Sequence, residues 1–405
     1  MAITDKEEGV WVLDQVYNKI NQGGIWDYDG VNQLWGWGGN HVGQLGINSL
    51  NTPINSGRSS PVQVGTTNTW AALPRYGGWT SYQGFATKTD GTLWAWGDNT
   101  EGAMSGNLGL NDIVDRSSPT QVGTDTTWPT DGSKMFKGRT MTVIKTDGTL
   151  WSWGYDMQGN NGQNSTSPYG NGISSPVQIP GTWSRTCSLR SPKAIRTDGT
   201  IWTWGSAHYG ILGLNENSPN ASKSSPIQIG TDSTWSDVVG NKNTALASKT
   251  DGTLWSWGYN NHAMLGLNNK TQYSSPVQVG TDTTWGTTLK MAVTTYSVGA
   301  IKTDGTLWTW GGYTGNTLGL GTNERRSSPT QVGTDTTWDK LSAYNEGGFS
   351  AIKTDGTLWL WGSWARGSLG MSNEVEKNSP TQLGTATHWH AIGGDYYENY
   401  AITSK

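Results

Sequence analysis

Six Asp-Gly steps, at Asp90, Asp147, Asp198, Asp251, Asp304 and Asp355, are the first residues in this chain that could do chemistry, since paired carboxylates serve hydrolases as acid and base. Such catalysis needs the two carboxyl groups within ~10 Å of each other. The six stand at equivalent points of a repeat, which keeps them apart, and a tight turn already accounts for an Asp before a Gly. Histidine offers little more. Of His41, His208, His262, His388 and His390, only the last two are near neighbours, on either side of Trp389, and no third zinc ligand stands with them. Asp27-Tyr28-Asp29-Gly30 matches the start of a calcium loop but lacks the later ligands and the closing Glu, so it reads as a first, altered hairpin turn. Cys187 has Arg185 and Arg190 nearby but no His close in sequence to form a nucleophilic pair. The glycines belong to turns, and none forms a phosphate cradle with a lysine. The expectation is a protein that is no enzyme and takes no cofactor and no metal.

The elements that would position any site are unusually legible. Trp-x-Trp-Gly occurs at Trp35, Trp94, Trp151, Trp202, Trp255, Trp308 and Trp359, with 51 residues between the closest copies (151 to 202) and 59 between the most distant (35 to 94). The full unit runs Ala-Ile-Lys-Thr-Asp-Gly-Thr-Leu-Trp-x-Trp-Gly, a variable loop often ending Leu-Gly, then Ser-Ser-Pro-x-Gln-Val-Gly-Thr-Asp-Thr-Thr-Trp. Asp-Gly between two alternating segments marks a hairpin. Alternation puts Trp94 and Trp96 on one face of a strand and Leu93 and Ala95 on the other. A third repeated tryptophan (Trp70, Trp128, Trp183, Trp235, Trp285, Trp338, Trp389) completes a set that reads as core rather than as a sugar-stacking surface. Repeated prolines at 61, 119, 176, 226, 276, 329 and 380 read as strand-entry or edge residues.

Seven small sheets arranged radially make a β-propeller. The expected fold is all-β: a seven-bladed propeller over residues 27–405, with residues 1–26 as a short helical, anchoring appendage. The ends of the repeat predict how the ring closes. The first unit has Leu34-Trp35-Gly36-Trp37-Gly38 without a preceding Ala-Ile-Lys-Thr strand, and the last ends at Ala401-Ile402 without a Trp pair. Pairing these N- and C-terminal strands completes one blade and leaves no open edge.

The unit resembles the regulator of chromosome condensation repeat, through Trp-Gly, a Leu-Gly loop such as Gly43-Gln44-Leu45-Gly46, Ser-Pro-x-Gln-Val and the Asp-Gly hairpin, over residues ~30 to 405. This resemblance implies the seven-bladed ring. Its family includes a guanine-nucleotide exchange factor for a small nuclear GTPase, ubiquitin-ligase adaptors and secreted bacterial propellers that inhibit β-lactamases. Here the N-terminus is acidic (Asp5, Glu7, Glu8) rather than basic, and the copies are far more alike. In that near-verbatim style the chain is similar to repeats of bacterial and bacteriophage proteins, tail-associated ones especially.

Composition and charge exclude some partners. Glycine (57) and tryptophan (25) are abundant and Phe (3) is scarce, as suits a turn-dense β-protein. A formal charge of -4 gives no basic field for nucleic acid. No run approaches the ~20 apolar residues that span a bilayer, so membrane insertion is not expected. The N-terminus lacks the basic and apolar regions of a cleaved signal, and a soluble chain is expected. One cysteine permits no intrachain disulfide.

Residues that differ between copies have no shared structural duty, so partner contacts are sought there. The loop after Trp-Gly and the stretch between Thr-Trp and the Asp-Gly hairpin supply Tyr76, Trp79, Tyr82, Tyr169, Tyr209, Tyr313, Tyr344, Trp364, Arg366, Tyr396 and Tyr397 as candidates, because Tyr, Trp and Arg dominate interface hot spots. In the appendage, Leu13, Val16, Tyr17 and Ile20 form one helical stripe which, with Trp11 and Trp26, is an anchoring face. The reading is a non-enzymatic protein-interaction propeller. It is expected in a bacteriophage virion, as a tail, appendage or capsid-associated structural or host-recognition protein. It would bind other virion proteins through the N-terminal segment and a host surface protein or glycan through the loops. The alternative is a free bacterial protein-binding propeller, cytoplasmic or extracellular, such as an inhibitor of an extracellular enzyme. A third reading is a guanine-nucleotide exchange factor.

Overall fold

A computed structural model describes residues 32–50, 57–76, 82–100, 106–138, 140–156, 158–164, 172–187, 190–312, 317–344, 347–362, 365–372, 375–395 and 397–404. The segment expected to be a helical anchor, with Trp11, Leu13, Val16, Tyr17, Ile20 and Trp26, lies outside them.

The described strands form seven sheets, the seven blades of a propeller, antiparallel except where the two-residue strand Arg75–Tyr76 joins the second sheet in parallel. Blade 1 consists, from the axis outward, of Trp70–Ala72, Gln83–Lys88, Leu93–Gly97 and Arg116–Gln121. Blades 2 to 6 follow the same order, and their inner strands begin at Met135, Trp183, Trp235, Met291 and Trp338. Blade 7 takes its two inner strands, Trp389–Gly394 and Glu398–Thr403, from the end of the chain and its two outer strands, Leu34–Gly39 and Gly57–Gln63, from the start. Trp35 pairs with Ala401 and Leu34 with Ile402, so the expected closure is present.

The repeated tryptophans form one packing unit per blade. In blade 1 the Trp70 ring meets Trp94 and Trp96 edge-on, at 6.3 and 6.1 Å between centroids, which places both members of the pair on one face. They are not equivalent. The second Trp of each pair is almost wholly buried, and the first is half-buried at the blade surface. In blades 1 to 6 the first is covered by a basic residue of the preceding strand, Arg196 in blade 3 and a lysine in the others: Lys88 Nζ lies 3.7 Å from the Trp94 ring centroid, and Lys249 and Lys353 lie 3.8 Å from those of Trp255 and Trp359.

The Leu-Gly loop has a defined task. The indole N–H of Trp96 donates to Gln44 O of the preceding blade at 2.8 Å, and that of Trp257 to Ile211 O at 2.9 Å. Gly46 lies directly against this indole. A Cβ there would stand 2.9 Å from Trp96 Nε1, and its φ of +69° is one that glycine adopts without strain. The second Trp of the pair is thereby packed against its neighbour blade, and at Trp37, Trp96, Trp153, Trp204, Trp257 and Trp310 it is also hydrogen-bonded to it. The prolines sit in the outer strands, where every pairing with the Trp strand carries a register shift, as between Ala95 and Gly97. An edge strand with a bulge is where a missing N–H costs least.

The Gly-Thr-Asp-Thr-Thr link and the Asp-Gly turn interlock. Asp125 Oδ1 accepts from Thr127 N at 2.8 Å while Oδ2 holds Lys145, and the same pairing joins Asp232 to Lys249, Asp282 to Lys302 and Asp335 to Lys353. For Asp125 the Lys145 bond leads in drawing the carboxyl down to about 2. For Asp232, Asp282 and Asp335, partial burial alone would raise it, but the lysine and threonine bonds outweigh this and bring each to about 2. Groups depressed from 3.8 contribute stability above that pH and lose it as pH falls toward 2. These carboxylates are about one-third exposed, so each is discounted to about 0.5 kcal/mol. The expected result is that Asp→Asn at all four positions flattens the loss of thermal stability between pH 4 and pH 2. An unchanged acid limb in a pH series of melting curves contradicts this.

Candidate functional site

Strand direction alone sorts the loops. Neighbouring strands in each blade are antiparallel, so the Asp-Gly turn and the Gly-Thr-Asp-Thr-Thr link fall on one face of the ring. The loop after Trp-Gly and the link between the two inner strands fall on the other. The verbatim segments thus share one face and the variable ones share the opposite face. Asn32, to which residues 1–31 are joined, donates its backbone N–H to Thr403 O at 2.9 Å on the constant-turn face.

On the variable face equivalent positions carry different side chains. Val42, Gln158, Tyr209, His262 and Arg366 each stand five residues beyond the second Trp of their blade. The next residue is Gly43, Gly159, Gly210, Ala263 or Gly367, with φ between +60° and +83° in all five. A second such position precedes the second strand, where Tyr82, Asn243, Tyr296, Gly347 and Tyr397 are equivalent.

These positions meet across blade junctions. Arg366 of blade 6 stacks on Tyr397 of blade 7, 4.0 Å from its ring centroid, and its Nη1 lies 3.1 Å from His41 Nδ1. The His41 ring contacts Tyr82 of blade 1 edge-on at 4.6 Å, and Tyr82 stacks with Tyr397 at 6.2 Å. Partial burial, and then the Arg366 charge, hold His41 below its ordinary pKa against the pull of Asp98. A guanidinium can only donate, so Nδ1 of His41 is the acceptor and the ring proton sits on Nε2. A second chain of rings crosses blades 3, 4 and 5: Tyr209 to Tyr259 at 4.9 Å, Tyr259 to His262 at 6.0 Å, and His262 to Tyr296 at 5.0 Å.

Of the sequence candidates, Tyr82, Arg366 and Tyr397 converge in the first cluster, and Tyr209, 41% exposed, belongs to the second. Two candidates are corrected. Tyr344 is fully buried in the inner strand of blade 6, and its hydroxyl donates to Trp361 O at 2.8 Å. Tyr76 is buried at the axis, where Arg75–Tyr76 pairs in parallel with Phe136–Lys137. Trp79, Tyr169, Tyr313, Trp364 and Tyr396 lie outside the described residues. His41, Tyr259, His262 and Tyr296 were not among the contact candidates. The available signal was alignment by distance from Trp-Gly rather than by residue type.

The turn aspartates and Cys187, which the sequence offered for chemistry, stand apart in the structure. Both hydrogen-bonding tasks of the turn aspartates are local: Asp90 Oδ1 accepts from Thr92 N at 3.0 Å and Thr92 Oγ1 at 2.7 Å, and Thr92 Oγ1 accepts from Trp94 Nε1. Those bonds hold Asp90 below the usual carboxylate range, the wrong direction for a general acid. Burial pushes the Cys187 thiol up to about 12, so it is not a nucleophile at neutral pH. Among the described residues no three His, Cys, Asp or Glu side chains stand close enough to share a metal ion, and no helix is long and apolar enough to cross a membrane.

The regulator of chromosome condensation (RCC1) repeat matches residues 198–245 and 251–295. The chain is 25% identical over 355 residues to the human and mouse E3 ubiquitin-protein ligase HERC2, covering 84% of this chain but only 7% of that one. It is 24% identical over 302 residues to the ultraviolet-B receptor UVR8 of Arabidopsis thaliana, covering 71% of this chain and 65% of the receptor. Among solved structures, human WBSCR16 superposes with a TM-score of 0.73 at 17% identity, over 93% of this chain and 99% of that one. Prp20p of Saccharomyces cerevisiae gives 0.73 at 16%, over 93% and 92%. Those identities speak to the fold alone, a seven-bladed propeller.

Proposed function

We propose that this propeller of RCC1-type repeats is a non-enzymatic protein-interaction module that binds its partner through the variable face, with Tyr82, His41, Arg366 and Tyr397 at the centre of the contact. The observation that carries this reading is the segregation of constant and variable loops onto opposite faces, with Tyr and Arg gathered across junctions on the variable one. Interface hot spots favour those residues because they offer large, stiff contact area with a polar edge. A relative on the same fold, Prp20p, is described by its binding to Gsp1p and histones. In its finer form the proposal is a bacteriophage virion protein. Residues 1–26 would moor it to other virion proteins on one side, and the loops would face a host protein or glycan on the other. The near-identity of the blades and the position of Asn32 on the constant face support that form.

The test combines Tyr82→Ala, Arg366→Ala and Tyr397→Ala in the full chain, with cross-linking mass spectrometry on particles or extracts of the source. These side chains are at least partly solvent-exposed, so the melting temperature should hold while partner cross-links to the variable face fall at least about thirtyfold, the scale of a 2 kcal/mol hot spot. Unaltered cross-links reject the face. Normal particle incorporation of a chain lacking residues 1–26 rejects the mooring, and accelerated nucleotide release from a small GTPase would favour the exchange-factor reading instead.

A further inference from the structure

The central channel is not filled evenly. Toward its middle it is crossed by Arg75, which makes bonds of 2.7 and 3.1 Å to both oxygens of Asp237. At the variable-face end it is crossed by Lys137 paired with Asp395 at 2.5 Å. The half nearer the constant-turn face holds a cavity of about 220 Å³, lined by the first residues of the inner strands. Its walls are largely apolar. Met291, Leu341 and Ile392 come from three different blades, Leu73 and Leu289 add to the apolar wall, and Thr130, Asp131 and Ser342 are among its polar members.

The one cation on this wall without an ion-pair partner among the described residues is Lys340. Lys340 Nζ donates to the backbone oxygen of His390, and among the described residues no carboxylate lies within ion-pair distance of it. Of the other charged side chains lining the cavity, one is ion-paired and one, Asp131, is an anion held by hydrogen bonds. Arg75 is committed to Asp237, and the two oxygens of Asp131 accept from the N–H and hydroxyl of Ser133. Asp339, beside Lys340 in sequence, pairs with Lys290 at 2.8 Å. Burial holds the neighbouring His390 below its ordinary pKa, so it adds no second charge. Burial also disfavours the charged form of Lys340, which is the cost an incoming anion would relieve. Leu289 on the same wall is held at φ +62°, a conformation that strains a bulky residue and that clusters at functional sites.

We propose that this cavity is a binding site for a small monocarboxylate with an apolar body, its carboxylate seated on Lys340 Nζ and its hydrocarbon against Leu73, Met291, Leu341 and Ile392. A single cation matches a single negative charge, whereas a multiply charged ion such as phosphate would be left undercompensated among apolar walls. The volume sets the size. An apolar cavity of ~150 Å³ accepts benzene, so about 220 Å³ suits a ligand of roughly ten non-hydrogen atoms. The site is independent of the variable face and opens on the opposite side.

Octanoate is the probe, titrated calorimetrically into the full chain with octan-1-ol as the uncharged control. Octanoate should bind one to one with a Kd on the order of 0.1–1 mM, as expected for a ligand of that size, and octanol at least about tenfold more weakly. Lys340→Met should lose about tenfold in octanoate affinity without changing octanol, and Lys340→Arg should retain octanoate. Absence of octanoate binding, or equal affinity for acid and alcohol, overturns the proposal. So does a folded Lys340→Met chain that binds octanoate like the native one. Should that variant fail to fold, the comparison of acid with alcohol on the native chain decides alone.

Discussion

Trp257→Ala is expected to remove about 3–5 kcal/mol of folding stability, and Trp255→Ala, two residues away in the same motif, about 1–2 kcal/mol. Trp257 is fully buried, meets Trp235 at 6.3 Å and donates its indole N–H to Ile211 O of the preceding blade at 2.9 Å. Its loss leaves a cavity and an unpaired carbonyl at one junction between blades. Trp255 lies half-buried under Lys249, and its N–H bond to Thr253 Oγ1 at 2.9 Å is a local one within its own turn. Solvent can replace much of what Trp255 provides. A loss of 3–5 kcal/mol is a large share of the ~5–15 kcal/mol that separates folded from unfolded states of typical domains. Urea denaturation of the two variants measures the difference, and the same ranking should recur for Trp96 over Trp94 and Trp310 over Trp308. Equal losses at both positions would falsify the division of labour within Trp-x-Trp.

Blade number, the closing strand pair and the burial of the tryptophans were legible because each is written locally and repeated. The fate of individual tyrosines was not. Tyr344 occupies the stretch between Thr-Trp and the hairpin, which varies between copies and so suggested a loop. It is instead the last residue of a seven-residue inner strand, and its ring lies over Gly348, where a Cβ would come within 2.3 Å of it. The Gly-Gly-Phe at 347–349 was the only trace of that arrangement in the chain. Tyr76 left no trace at all. Its burial follows from the parallel pairing of Arg75–Tyr76 with a strand of the next blade, a long-range event that no local pattern announces.

Near-identity of the blades has a physical reason beside any kinship it suggests. In Lys-Thr-Asp-Gly-Thr-Leu-Trp, the Asp holds the Thr, the Thr holds the first Trp, and the Lys both covers that Trp and reaches the Asp of Gly-Thr-Asp-Thr-Thr. Changing one letter leaves another without its partner, so the segments on the constant face vary little. The variable face lacks this mutual constraint at Val42, Gln158, Tyr209, His262 and Arg366, where backbone and side chain are decoupled. That is the freedom a binding surface requires.

The second large effect is expected at the axis. Asp237 is fully buried, binds Arg75 through both oxygens, accepts the Val238 N–H at 2.9 Å and has Arg185 Nε 3.9 Å away. Asp237→Ala removes the one anion between two arginines, one of them only 7% exposed, and should cost about 3–5 kcal/mol, the usual penalty for stranding a buried charge. Arg75→Met should cost less, because Asp237 keeps Arg185 and a backbone donor. The paired change Arg75→Met with Asp237→Leu should recover most of the loss, since desolvating an ion pair offsets much of its attraction and apolar groups of similar size fill the same space. The order of stabilities in urea, with the double variant above Asp237→Ala, is therefore the diagnostic. Additive losses would mean that the pair is not the bolt joining blade 1 to blade 4. If the order holds, the pair joins opposite sides of the ring while leaving the cavity beside Lys340 unfilled. The axis would then be stabilised by a pair whose net contribution is small but whose breakage is severe.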